Sequence, residues 1–251
     1  MKRYLMFLMV SATLIAQTKG KKLVWEEQFT ASELNAKNWN FEEGDGCPNC
    51  GWGNNEPQIY TKFNHHLADG KLIITAKNNN GKYTSTRINT KGKQEFTYGY
   101  IEAKAKIPVG QGIWPAFWML GSNIDQVGWP KCGEIDILEY VGKEPNIIFT
   151  SLHTQDSFGN TINTKKTTIE GIEEGFHIYA VDWTKDKIDF FIDHKLVYTF
   201  KPAVKNDDTW PYNKPFFILL NVAIGGNFGG PEINDAIFPQ EFIVDYIKVY
   251  Q

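Results

Sequence analysis

The sequence has little excess charge and no basic block. Its 26 lysine and arginine residues nearly balance 29 aspartate and glutamate residues, which leaves a formal net charge of −3 over 251 residues. Proteins that bind nucleic acid or anionic membranes usually carry clustered lysine and arginine, because attraction to phosphate supplies much of their affinity. We therefore expect neither nucleic acid nor a membrane surface among the partners of the mature protein.

Long apolar runs are also scarce. Residues 4–15 form an apolar run of 12 residues behind Lys2 and Arg3, whereas a membrane-spanning helix needs about 20. A short apolar run behind basic residues is typical of a signal peptide. We therefore predict a signal peptide over residues 1–16 and a secreted or periplasmic protein. The alternative is an uncleaved anchor.

Cysteine is rare, and the three residues present are Cys47, Cys50 and Cys132. No histidine stands at zinc-finger spacing from them, so the sequence does not favour a structural zinc site. In the oxidising environment of an exported protein, Cys47 and Cys50 can form a small disulfide that leaves Cys132 as a buried free thiol. A bridge between Cys50 and Cys132 is the alternative.

Helical periodicity is missing, as are repeats and long linkers. At most, residues 31–38 could form a short helix or turn. The rest reads as short β-prone segments separated by glycine, proline and asparagine, which predicts an all-β sandwich. All-β domains of 200–250 residues are common, so we expect one domain over residues 17–251. Strands are predicted at residues 72–76, 98–107, 113–120, 135–141, 147–153, 176–184, 188–192, 196–200, 216–224 and 243–250.

One of these segments, GEIDILEY at residues 133–140, carries three acidic side chains. In a strand, alternate side chains point to opposite faces, so Glu134 and Asp136 share a face. In a regular strand Glu139 would point to the opposite face, because Leu138 adds one residue between the acids. A β-bulge at Ile137 and Leu138 would turn Glu139 back towards the other two acids. We predict that bulge.

Three carboxyl groups on one face repel each other, and the pKa of at least one of them should rise. Retaining glycoside hydrolysis uses such a set, with one carboxylate as nucleophile and a second, protonated carboxyl as acid, roughly 5–5.5 Å apart. The alternatives are a solvent-facing polar strand and a calcium site.

The neighbouring segments carry a resemblance to a known family. Residues 134–139 resemble the E-x-D-x-x-E signature of glycoside hydrolase family 16. GQGIWPAFWMLG at residues 110–121 and GWGNNEPQIYT at residues 51–61 resemble segments that line the cleft of that family's laminarinases, and VDYIKVY at residues 244–250 resembles its closing strand. The similarity extends over roughly residues 23–251.

This resemblance implies a β-sandwich of the jelly-roll type with a concave substrate cleft. It also implies a secreted, monomeric endo-β-1,3-glucanase that acts with retention. Glu134 would be the nucleophile, Glu139 the acid and then the base, and Asp136 a hydrogen-bond partner of Glu134. The alternatives are a mixed-linkage β-1,3-1,4-glucanase, an enzyme of the same fold acting on a marine galactan, and a non-catalytic β-glucan-binding protein. Leu138 argues against the unbulged lichenase subgroup, and the two glutamates argue against a binding protein.

Sugar rings have apolar faces that stack on aromatic rings, and their hydroxyl groups need polar partners. With the resemblance, this indicates six substrate-binding residues: Asn55, Arg87, Trp114, Trp118, Trp129 and His153. The resemblance places His153 close to Glu139, where it could form a hydrogen bond with Glu139 or with a sugar hydroxyl. Trp25, Trp39 and Trp183 should belong to the core. The resemblance implies that residues 51–61 lie at the non-reducing side of the cleft.

The resemblance further implies a structural calcium site on the convex side of the sandwich. Its ligands would be backbone carbonyl groups at Gln28 and Gly70 and the carboxylate of Asp245. Oxygen ligands of this kind suit calcium. No organic cofactor is expected, because the carboxyl groups supply the chemistry.

Overall fold

The computed structural model describes residues 17–251, and nearly all regular structure within that range is β-strand. The strands are β1 (Leu23–Glu27), β2 (Asn40–Glu42), β3 (Ile59–Tyr60), β4 (His65–Ala68), β5 (Lys71–Asn79), β6 (Lys82–Ser85), β7 (Arg87–Asn89), β8 (Glu95–Phe96), β9 (Gly99–Lys106), β10 (Ile113–Gly121), β11 (Glu134–Tyr140), β12 (Ile147–His153), β13 (Thr164–Thr168), β14 (His177–Trp183), β15 (Ile188–Ile192), β16 (Lys195–Phe200), β17 (Phe216–Ile224) and β18 (Gln240–Tyr250). Between residues 18 and 251, helical structure consists of the single turns α1 (Ile124–Val127) and α2 (Gly226–Gly229), and of 3-10 turns at Gly51–Gly53, Lys62–Asn64 and Asp235–Ile237.

The strands form two sheets. Sheet I has the order β16-β15-β14-β9-β18-β5-β6-β3, with β1 paired to β18 and β4 paired to β5. Sheet II has the order β13-β12-β11-β10-β17-β7-β2, with β8 paired to β17. All pairs are antiparallel except β3 with β6. The predicted all-β sandwich is therefore confirmed, and its topology is that of a jelly roll.

Alternating side chains explain why the two sheets pack together. In β9, Ile101, Ala103 and Ala105 point inward and are fully buried. Every residue of β17 is buried, because that strand lies near the middle of sheet II and both of its faces are covered. The inward side chains of both sheets form one contiguous apolar core. Burial of apolar area at about 25 cal/mol per Å² is the main force that holds the sheets face to face.

The three tryptophans expected in the core all contact it. Trp39 and Trp183 are buried. Trp25 is partly buried and packs against the rings of Trp39 and Phe96, with ring centroids 6.3 and 5.7 Å away. The segment at residues 31–38 forms bends and a turn rather than a helix.

The hairpin turn and the disulfide both agree with predictions from the sequence. Asp69 and Gly70 both have positive φ and join β4 to β5 as a tight hairpin, as an Asp-Gly pair predicts. Cys47 and Cys50 form a disulfide, and Cys132 is a buried free thiol. The alternative Cys50–Cys132 bridge is wrong.

The predicted signal peptide lies outside the described residues. Between residues 17 and 251, no helix combines the length and apolar character that are needed to cross a membrane.

Candidate active site

The site is built on a β-bulge in β11, the central acidic strand of sheet II. Asp136 lies opposite Ser151 of β12, and Glu139 lies opposite Phe149. Two residues, Ile137 and Leu138, lie between these pairs on β11, whereas only Thr150 lies between them on β12. Ile137 and Leu138 therefore oppose one residue together. The pairing with β10 shifts at the same place. The predicted bulge is confirmed, and it brings Glu139 towards Glu134 and Asp136.

Burial dominates the electrostatics of these acids. The Glu139 side chain is almost completely covered, which raises its pKa well above the usual range, and the nearby charge of Asp136 raises the pKa further. The positive charge of His153 and the indole N–H of Trp114 act in the opposite direction. A carboxyl in this environment can keep its proton at a pH where an exposed glutamate has lost it.

Asp136 is buried more deeply still, with 2 % of its surface exposed. Burial raises its pKa well above the usual range, and the charge of Glu134 and a hydrogen bond to Glu134 raise it further. A protonated Asp136 donates to the Glu134 carboxylate. This arrangement leaves one negative charge shared by the pair rather than two charges in contact.

His153 does not contact Glu139 as expected. Its Nε2 atom lies 3.2 Å from Asp136 Oδ2 and 3.7 Å from Glu134 Oε1. The reason is the register, because His153 lies directly opposite Glu134 on β12, whereas the bulge places Glu139 opposite Phe149. The predicted hydrogen bond between His153 and Glu139 is wrong, because His153 contacts the two acids at the start of the strand. The alternative, a contact between His153 and a sugar hydroxyl, stays a prediction.

Three tryptophans point their indole N–H groups into the site. Trp114 donates to Glu139 Oε1 at 3.0 Å, and Trp129 donates to Glu134 Oε2 at 2.8 Å. Trp118 donates to Asn221 Oδ1 of β17 at 2.8 Å. Trp114 and Trp129 therefore hold one oxygen of each glutamate, so that the two carboxyl groups have defined orientations.

Arg87 lies between two aromatic rings. Its guanidinium carbon is 4.7 Å from the Trp52 ring centroid and 4.9 Å from that of Trp118, and the side chain forms an ion pair with Glu42. Both distances are within the range of cation–π contacts, so the same guanidinium is attracted to both rings. The side chain is mostly covered, so Arg87 supports the tryptophans, and its predicted contact with sugar stays a prediction.

Asn55 joins two loops at the rim of the site. Its side-chain amide donates to Asn227 Oδ1 at 2.8 Å, and the backbone N–H of Asn227 donates to the carbonyl of Asn54 at 2.7 Å. Gly226 permits this approach, since a Cβ atom there would lie 2.8 Å from the Asn54 carbonyl oxygen. The side chain of Asn55 is exposed and remains available to a ligand.

Sequence reasoning missed Asn221, which lies inside the apolar run of β17. Its amide accepts from Trp118 and donates to Tyr60 Oη at 3.1 Å, and that hydroxyl donates to Glu56 Oε2 at 3.2 Å. A buried polar chain thus connects the Trp118 ring to the loop that carries Asn55. A lone amide in an otherwise apolar strand was the signal that could have revealed it.

Two of the three predicted calcium ligands are neighbours in the structure. A Cβ atom built on Gly70 would lie 4.0 Å from the Gln28 carbonyl oxygen, so these two positions are neighbours. Asp245 stands at a register shift between β18 and β9, but its Oδ2 atom lies 2.6 Å from Lys104 Nζ.

The chain was compared with known proteins. The model of glycosyl hydrolases family 16 matches residues 52–238. A beta-glucanase of Rhodothermus marinus is 33% identical over 99% of this chain and 93% of its own length. A glucan endo-1,3-beta-glucosidase of Cryptopygus antarcticus is 37% identical over 90% of each chain.

Solved structures give the same result. The laminarinase from Flavobacterium sp. UMI-01 is 71% identical, and it superposes with a TM-score of 0.91 over 92% of this chain and 100% of its own. The matched family region includes the bulged acidic strand and the tryptophans around it. The chain therefore belongs to glycosyl hydrolases family 16, in which it is a glycoside hydrolase of the laminarinase type.

Proposed function

We propose that the protein is an endo-acting β-1,3-glucanase that hydrolyses laminarin-like glucans with retention of anomeric configuration. The observation that carries the proposal is the bulge in β11, which gathers Glu134, Asp136 and Glu139 in one site. Relatives named as laminarinase, beta-glucanase and endo-1,3-beta-glucosidase support the β-glucan substrate.

In the first step, Glu139 gives its proton to the glycosidic oxygen while the Glu134 carboxylate attacks the anomeric carbon. The bond to the leaving sugar breaks, and an ester to Glu134 forms. The raised pKa of Glu139 suits the acid role because burial favours the protonated carboxyl. The Trp129 N–H and the Asp136 proton both point at Glu134 and hold it in position for attack.

In the second step, the Glu139 carboxylate takes a proton from water, and the water oxygen attacks the anomeric carbon. The ester bond breaks and Glu134 regains its charge. When Glu134 is an anion, the proton can be shared between Glu134 and Asp136. When Glu134 is an ester, the proton stays on Asp136. His153 Nε2 lies 3.2 Å from Asp136 Oδ2, so the imidazole contacts the same pair. These steps need no organic cofactor.

A mixed-linkage β-1,3-1,4-glucanase is the second candidate of the same fold. Leu138, the extra residue of the bulge, argues against the lichenase subgroup, whose acidic motif is one residue shorter. A non-catalytic glucan-binding protein would not need Glu134 and Glu139, and both are present. Each alternative makes a different prediction about products.

Product analysis on laminarin, lichenan, agarose and carboxymethylcellulose tests the proposal. We expect short β-1,3-linked oligosaccharides from laminarin, with the β anomer formed first, and no product from agarose. Faster turnover of agarose than of laminarin would overturn the substrate assignment. Faster turnover of lichenan would favour the mixed-linkage alternative.

The acid role of Glu139 can be tested through the pH profile. The rate should fall as pH rises through the pKa of Glu139, because the acid must be protonated. The Trp114 N–H stabilises the charged carboxylate, so Trp114→Phe should raise that pKa and move the basic limb of kcat/KM to higher pH. The measurement is the pH at which kcat/KM falls on the basic side of the profile, not the maximum value of kcat/KM.

Trp118→Phe is the matched control for this experiment. It makes the same replacement in the same strand, but its N–H donates to the neutral amide of Asn221. The basic limb of this variant should stay where it is. A Trp114→Phe limb that stays in place or moves to lower pH would contradict the acid role of Glu139.

We also propose that the protein is exported after removal of residues 1–16, acts as a monomer and contacts no membrane in its mature form. The basic residues and apolar run at the amino terminus support export. The proximity of Gln28 and Gly70 supports a structural calcium site with Asp245 as the charged ligand, remote from the acids of β11.

A further inference from the structure

Two large aromatic side chains beside the acids are exposed to solvent. Trp129 is 45% exposed and Phe158 is 48% exposed. Their ring centroids are 5.4 Å apart and the ring planes are nearly perpendicular, at 81°. We call this pair the aromatic corner. An edge-to-face pair is a favoured aromatic geometry, yet each ring leaves about half of its surface to solvent.

The loop that carries Phe158 is held in place by its own hydroxyl groups. Ser157 Oγ lies 2.9 Å from Thr161 Oγ1, and Thr161 Oγ1 donates to the Leu152 carbonyl at 3.0 Å. The backbone N–H of Ile162 donates to Ser157 Oγ at 3.0 Å. These bonds restrain residues 154–163 before any ligand arrives, so binding on Phe158 costs little ordering entropy.

The aromatic corner is tied directly to the acid site. Trp129 donates its indole N–H to Glu134, and its ring lies 5.9 Å from that of His153. Phe158 follows β12 in the chain, and β12 lies on one side of β11, whereas β10, β17 and β7 lie on the other. Asn55 and Arg87 belong to that other side. The corner and the Asn55 loop therefore flank opposite sides of β11.

We propose that the aromatic corner binds the sugar on the reducing-end side of the cleavage point, with Phe158 as a substrate-contacting residue that the sequence did not indicate. This inference rests on the proposed function. The Asn55 loop would take the non-reducing side, so the corner takes the leaving sugar in the first step and an incoming acceptor in the second. Exposed aromatic faces attract the C–H faces of glucose, while a perpendicular pair suits a β-1,3-linked chain, which turns at every linkage.

Acceptor binding has a measurable consequence. When a second sugar replaces water, Glu139 takes a proton from the acceptor hydroxyl and the acceptor oxygen attacks the anomeric carbon. The ester to Glu134 breaks, and a new glycosidic bond forms. Weaker acceptor binding lowers transfer relative to hydrolysis.

The test uses an aryl β-glycoside of laminaribiose as donor and laminaribiose as acceptor. In Phe158→Ala we expect the acceptor concentration that gives half-maximal transfer to rise about tenfold, which corresponds to about 1.4 kcal/mol. The turnover number at saturating donor without acceptor is measured in parallel, and the loss in transfer should exceed any loss in that turnover. Phe158→Tyr keeps the aromatic face and should restore transfer.

Phe63→Ala is the matched control, because Phe63 is also an exposed phenylalanine, at 77%, but lies in the turn before β4 of sheet I. It should transfer like the wild type. Unchanged acceptor dependence in Phe158→Ala would overturn the inference while leaving the hydrolase assignment intact. An equal loss of turnover and transfer that Phe158→Tyr does not restore would also overturn it, since Phe158 would then only support Trp129. A wild-type enzyme that fails to cleave the β-1,3-linked donor would refute the proposed function itself.

Discussion

Replacing Glu134 by alanine should lower the rate of laminarin hydrolysis by several powers of ten, each tenfold step being about 1.4 kcal/mol of activation barrier. The change removes the group that forms the covalent intermediate, so both steps of the reaction are lost. Glu139 remains able to protonate the leaving oxygen. The measurement is kcat/KM on laminarin and on an activated aryl glycoside, and we expect both to fall.

Added azide should restore part of the activity of Glu134→Ala and give a product of a single anomeric configuration. The alanine leaves space on the face of the sugar that Glu134 normally attacks, and a small anion can enter there and react once. The product should be an α-glycosyl azide, because a single displacement inverts the β-linked donor. A β-glycosyl azide from this variant would contradict the assignment of Glu134 as the nucleophile.

Glu102→Gln is a suitable control for the effect of losing a buried glutamate. Glu102 lies in β9 of sheet I, is fully covered, and has a pKa that burial raises above the usual range. This carboxyl is outside the acid site, so the amide variant should keep wild-type kcat/KM. If it lost activity as strongly as Glu134→Ala, the loss in both variants would reflect the fold rather than the chemistry.

The second large effect concerns Glu139. Glu139→Ala removes proton transfer, and general acid–base catalysis contributes roughly 10²–10⁴. Hydrolysis of laminarin should fall by a factor in that range. The loss should be smaller on an activated aryl glycoside, whose leaving group needs little protonation. The measurement is the ratio of the two losses, which should be close to one for Glu134→Ala and well above one for Glu139→Ala.

The configuration of the azide product should also identify the role of Glu139. In Glu139→Ala the ester to Glu134 still forms, and azide then attacks it from the opposite face. Two displacements restore the starting configuration, so the product should be a β-glycosyl azide. An α-glycosyl azide here, with the β-azide from Glu134→Ala, would reverse the two roles. Release of α-configured product by the wild type would refute retention altogether.

The bulge shows how far local pattern can predict a site. Glu134 and Asp136 share a strand face by parity, and Leu138 adds the single residue that changes the face of Glu139. Those facts are local, because side-chain direction in a strand depends on the count along one segment. The pairing of Ile137 and Leu138 with a single residue of β12 agrees with that count.

His153 shows where local pattern ends. Its position in the chain says that it belongs to a neighbouring strand, but not which residue of β11 it faces. The ladder places His153 directly opposite Glu134, so that it meets Glu134 and Asp136 instead of Glu139. Register between two strands depends on the whole ladder, and a single inserted residue changes every pair beyond it.

The sequence alone determined the all-β class and the acidic strand with its bulge, because each depends on residues close together in the chain. It left two disulfide pairings open, and the structure selects Cys47–Cys50. Tertiary structure decided which tryptophan holds which glutamate, why Asn221 lies buried in β17, and that Phe158 forms a corner with Trp129. These contacts join segments that are far apart in sequence. Burial and hydrogen-bond partners are properties of the packed sheets, and no count along a single strand contains them.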